Sequence, residues 1–148
     1  MSLNDLQTFI KLAEEHCASS NEIEQIKSVT SIEDLLSHPW SSDLAYWYAK
    51  DIIKGRWLEG ESVILKSPDL AFLYARDVIK DRWLEAESII RTDPYWAYWY
   101  ARNMIKDRWI DAEPFIKTDF YTWGQYQNFI KGEANIKPVS NRSTFRYD

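Results

Sequence analysis

One cysteine, four glycines, five prolines and two histidines are all that 148 residues supply of the usual chemical and conformational specialists. A lone Cys17 excludes an internal disulfide and fits a reducing compartment, so the expected location is the cytoplasm. So few Gly and Pro leave little room for the many tight turns of an all-β fold. His16 and His38 make no zinc spacing with Cys17, and no metal site is expected. Four scattered glycines build no phosphate loop, and no serine stands in a nucleophile-elbow motif. The start, MSLNDLQTF, lacks a basic stretch followed by a long apolar run, so no secretory signal is expected. The longest apolar run, residues 95–101, is too short to span a bilayer.

Concentrated positive charge is also missing. The net charge is −5. Residues 1–40 hold seven acids against two bases, whereas residues 41–132 hold 14 acids against 13 bases. A phosphate backbone needs a basic surface, and the nearly neutral body offers none, which speaks against nucleic acid. The acidic end would attract a basic partner.

What the chain has in quantity is aromatic and apolar surface: 45% hydrophobic residues and 16% aromatic, with eight Trp and nine Tyr. That load excludes a disordered chain. It is also periodic. DLAYWYAKDIIKGRWLEGESVIL begins at Asp43, DLAFLYARDVIKDRWLEAESIIR at Asp69 and YWAYWYARNMIKDRWIDAEPFIK at Tyr95. Tyr48/Tyr74/Tyr100, Arg56/Arg82/Arg108 and Trp57/Trp83/Trp109 recur 26 residues apart. A fixed period of this length means stacked units that cannot bury their apolar faces alone. The fold expected is all-α: a short α-solenoid of tandem two-helix repeats with an N-terminal helical cap.

The organisation follows. Residues 1–40 read as N-terminal helices and a degenerate capping repeat. Residues 41–132 hold three repeats and a closing helix. Residues 133–148, with no period and a Pro138, read as an extended tail. Within each repeat a first helix spans 43–54, 69–80 or 95–106, and a shorter second one spans roughly 57–65, 83–91 or 109–117. Pro114 should delay or kink the last of these. Ser67-Pro68, Asp93-Pro94 and Thr118-Asp119 read as outer turns that cap the next helix. In residues 119–131, Tyr126 keeps the register of Tyr100.

The Tyr-Ala-Arg-Asp-Val-Ile-Lys, Arg-Trp and Glu-Ala-Glu elements resemble a short helical repeat of proteins from large tailed bacteriophages and some giant viruses. The resemblance covers about half the chain, residues 43–119. It implies an α-helical solenoid of viral origin and no particular activity.

Internal copies separate architecture from function, because a catalytic site occurs once whereas scaffolding recurs. The invariant Trp and Tyr columns, with Ile53/Ile79/Ile105 and Ile64/Ile90/Ile116, read as core. Arg56/Arg82/Arg108 and Glu61/Glu87/Glu113 recur together and read as ion pairs or helix-end bonds between neighbouring units. No catalytic residue and no cofactor is nominated, so an enzyme is not expected. The misfits lie on the first helices. Trp47, Leu73 and Trp99 point away from the Ala/Tyr face, with Trp96, Arg76 and Arg102 beside them. Either neighbouring repeats cover this second face, or it is an exposed ridge of the side chains that dominate protein interfaces.

The function expected is therefore protein–protein interaction. A phage protein of this kind would bind, and inhibit, a host protein such as a defence component in the host cytoplasm. The ridge is the first contact surface expected and the tail around Phe145 the second; a homodimer through the same ridge is a further reading. The alternatives are a single-stranded nucleic-acid binder, using rings beside Lys and Arg, and a small-molecule-binding protein.

Overall fold

The computed structural model describes residues 3–16 and 19–132. The Cys17, residue 133–148 and Phe145 expectations lie outside them. Among the described residues the secondary structure is entirely helical. The chain divides into two compact units, Met1–Lys66 and Ser67–Asp148.

The first unit holds α1 (Leu3–His16), α2 (Ser20–Lys27), α3 (Ile32–Ser37), α4 (Ser41–Trp47) and α5 (Leu58–Ile64). Ser31 starts α3 by accepting the Asp34 amide, as a serine cap should. Phe9 of α1 meets Tyr48 edge-on at 6.0 Å, and Ile26, Val29 and Leu35 complete that end of the core. The Ser42 hydroxyl donates to the Val63 carbonyl at 2.6 Å and ties α4 to α5.

The second unit holds α6 (Pro68–Tyr74), α7 (Leu84–Ile90), α8 (Pro94–Tyr100), a 3-10 turn (Ile110–Ala112), α9 (Glu113–Ile116) and α10 (Phe120–Ile130). The all-α fold of tandem two-helix repeats is thus the one the period demands. Pro68 and Pro94 open their helices, where a missing N–H costs nothing. Asp93 and Asp119 cap theirs by accepting backbone amides. Pro114 has the expected effect: the last second helix begins as a 3-10 turn and becomes α-helical only at Glu113.

Each first helix does not end as an α-helix. It widens into a π turn over Tyr48–Ile53, Ala75–Ile79 and Ala101–Ile105. A left-handed lysine then stops it: Lys54, Lys80 and Lys106 have φ of 57°, 61° and 60°. Lys80 N–H reaches back five residues to the Ala75 carbonyl at 2.7 Å, and Lys106 to Ala101 at 2.7 Å. A π turn is wider than an α turn, so it rotates the residues after it off the core face. This corrects one expectation. Ile53 is 40% exposed, and Ile79 and Ile105 are half-buried rather than core. The Ile64/Ile90/Ile116 column is fully buried, and the Tyr and Trp columns are buried throughout.

Candidate functional site

Three sets of residues in the fold are candidates for chemistry or recognition: a recurring polar network, an aromatic patch and an exposed apolar column.

The network joins consecutive repeats. Arg82 holds Glu87 with two hydrogen bonds, 2.9 and 3.1 Å, and Arg108 holds Glu113 at 2.5 and 3.0 Å. Arg56 and Glu61 pair the same way at 2.6 and 3.1 Å. These pairs lie inside one repeat, not between neighbours as the spacing alone implied. The link to the next repeat is a tyrosine. The Tyr100 hydroxyl accepts the Trp83 backbone N–H at 2.8 Å and donates to Glu87 at 3.0 Å. Tyr126 repeats this on Trp109 at 2.8 Å and on Glu113 at 3.2 Å. Burial is the main reason both phenols titrate high; Tyr126 is pushed up to about 12, and Tyr100 higher still. The Arg108 hydrogen bond holds the Glu113 carboxyl below its usual value. A phenol locked in its protonated form between a backbone amide and a fixed carboxylate is a joint, not a general base. Among the described residues, no group of His, Cys, Asp and Glu is placed to hold a metal ion.

The aromatic patch lies in the second unit. Phe72 meets Trp96 at 5.5 Å; Tyr95 meets Trp96 at 4.8 Å and Trp99 at 6.2 Å; Tyr98 meets Trp99 at 5.2 Å and Phe129 at 6.4 Å. Cations lie on these rings. Arg76 sits 5.6 Å over Phe72 while pairing with Asp77 at 2.6 Å. Arg102 sits 5.4 Å over Trp99 and donates to the Tyr98 hydroxyl at 2.9 Å. The residues singled out from sequence are therefore only partly presented. Trp47 is 6% exposed and Leu73 2%, so neither forms an open ridge. The reason is that the first helices are covered on both faces: α4 packs on α3 and α5, and α6 on α7 and α8. Trp96, Trp99 and Arg102 are half-buried, and Arg76 is exposed.

The sequence reading missed the third set. Leu58, Leu84 and Ile110 are 68%, 66% and 67% exposed. Each directly follows the invariant Trp, at the first residue of a second helical segment. A helical wheel sets Leu58 apart from the buried face but does not show what packs there from elsewhere in the chain. Gly60, Val63 and Ile64 share the buried face of α5, and Leu58 falls outside it.

Among the described residues no helix is long and apolar enough to cross a membrane. No protein family, curated protein or solved structure matches the chain.

Proposed function

We propose that the protein is a non-enzymatic protein-interaction module whose partner docks on the second unit at Leu84 and Ile110, the exposed aliphatic residues that open its second helical segments. One observation carries this reading. Three copies keep a large apolar residue, Leu58, Leu84 and Ile110, at a place where about two thirds of it stands in water. Single exposed leucines need no explanation. Here the same unfavourable choice is made three times, with no burial to reward it. The half-buried Trp96 and Trp99 with Arg102 supply ring and guanidinium contacts of the kind that dominate interfaces. With the viral resemblance, the partner is a host protein met in the host cytoplasm, a defence component being the class we favour.

The test is affinity capture with the full chain from host extract, against a Leu84→Glu/Ile110→Glu variant. These side chains are exposed, so the variant keeps the helical signal and melting temperature. It should retain less than about a tenth of the captured partner, a loss of roughly 1.4 kcal/mol or more. Undiminished capture by a folded double variant would remove these residues from the reading.

A further inference from the structure

The closing helix α10 is unlike every other first helix, and its differences point one way. Its 11 residues, FYTWGQYQNFI, carry no charge in a chain that is 28% charged. Phe120 is 93% exposed, Tyr121 47% and Ile130 37%. An open cavity of about 250 Å³ lies against this face, lined by Phe120, Tyr121, Trp123 and the amide side chains of Gln125, Gln127 and Asn128.

Two residues there set α10 apart from the earlier first helices. Gln125 is 6% exposed, yet its Nε2 finds no acceptor among the described residues. A buried amide donor without a partner is costly. Gly124 stands where the earlier copies have Tyr46, Phe72 and Tyr98. A glycine in mid-helix weakens the helix, and a Cβ added at Gly124 would meet nothing within 4 Å. The space it leaves is therefore not filled by its own fold. Trp123 stands where the earlier copies have Ala, and stacks on Tyr126 at 5.6 Å. It gives Tyr126 the ring that Trp83 gives Tyr74 and Trp109 gives Tyr100. The array thus closes its core while leaving the outer side of α10 uncharged.

We propose that a second copy of this chain docks on α10, the two helices antiparallel about a two-fold axis near Gly124. The sequence is symmetric in charge about that point. Asp119 and Lys131 lie six residues either side of Gln125, so an antiparallel pair sets each acid against the other copy's base at both ends. Between them like copies meet with no like-charge penalty. Gly124 lets the two backbones approach closely, and Phe120 of each copy covers the far end of the other. Packing across a two-fold axis uses one patch twice, as isologous dimers do. This inference is independent of the aliphatic column and stands or falls separately.

A single helix crossing is smaller than a standard interface, so the dimer is expected to be weak, forming at about 10–100 μM. Sedimentation velocity on the full chain up to about 1 mM reads it directly. Phe120→Glu and Gly124→Leu both point into open space in the monomer; each should keep the helical signal and weaken dimerisation at least about tenfold. A photo-crosslinking phenylalanine analogue at position 120 identifies what lies against it. An adduct of twice the chain mass supports the proposal. A chain that stays monomeric throughout, a dimer indifferent to both substitutions, or a crosslink within one chain to residues 133–148 overturns it.

Discussion

A phenol hydroxyl that is taken out of water has to find partners for its proton and its lone pairs, and Tyr100 finds both in the preceding repeat. It accepts from the Trp83 backbone and donates to Glu87. The Tyr column was readable as core because it recurs, but the hydroxyl's role was not, since its partners lie 17 and 13 residues upstream. Tyr100→Phe keeps the ring and deletes the joint. The Trp83 N–H is then left buried and unpaired, at a cost of about 1–3 kcal/mol. Denaturant unfolding should show that loss, and a Tyr100→Phe protein as stable as the parent would mean the ring alone matters. Gly60 shows how finely a neighbour tunes a recurring contact. A Cβ there would lie 2.3 Å from the Trp57 ring, whereas the other copies carry Ala86 and Ala112. Trp57 accordingly meets Tyr48 at 66°, against 46° and 44° for the equivalent pairs.

At the level of elements, the surprise is the π turn that ends each first helix. Helix existence and approximate length were legible from the apolar period, because that period is the buried face itself. The change of pitch was not. Lysine has no intrinsic preference for the left-handed region, which costs non-glycine residues about 1–2 kcal/mol. The three lysines hold it because the reach back of five residues closes the turn and aims the chain at the second helix. Gly132, six residues after Tyr126, takes φ 75° at the same register, although α10 stays α-helical. A glycine therefore takes the left-handed conformation at this register without the steric penalty. Lys80→Gly should stabilise the protein by up to about 1 kcal/mol, after the extra freedom glycine gives the unfolded chain. A lower melting temperature in that variant would show that the lysine side chain, not the backbone, sets the cap.

For the molecule as a whole, the Arg108–Glu113–Tyr126 joint makes stability respond to acid. The Glu113 carboxyl titrates below its usual value, chiefly through Arg108. A carboxyl whose folded-state pKa is depressed adds stability above its unfolded value and loses it as pH falls through the folded one. Glu113→Gln should therefore be less stable than the parent near neutral pH, and the gap should narrow between about pH 5 and pH 3. A gap that stays constant across that range would show that the charge on Glu113 contributes nothing. The sequence by itself determined the class of fold, the number of copies, the Asp93 and Asp119 caps and most of the core, whereas Ser67 makes no side-chain cap bond. Each of these is a local or periodic property, repeated three times in the one-dimensional pattern. Only the tertiary structure decided which apolar residues face water. Trp47 and Leu73 looked like the outer ridge and are covered by helices on both sides, while Leu58, Leu84 and Ile110 looked ordinary and stand exposed. Exposure is fixed by what packs against a helix from elsewhere in the chain, and a helical wheel holds no information about its neighbours.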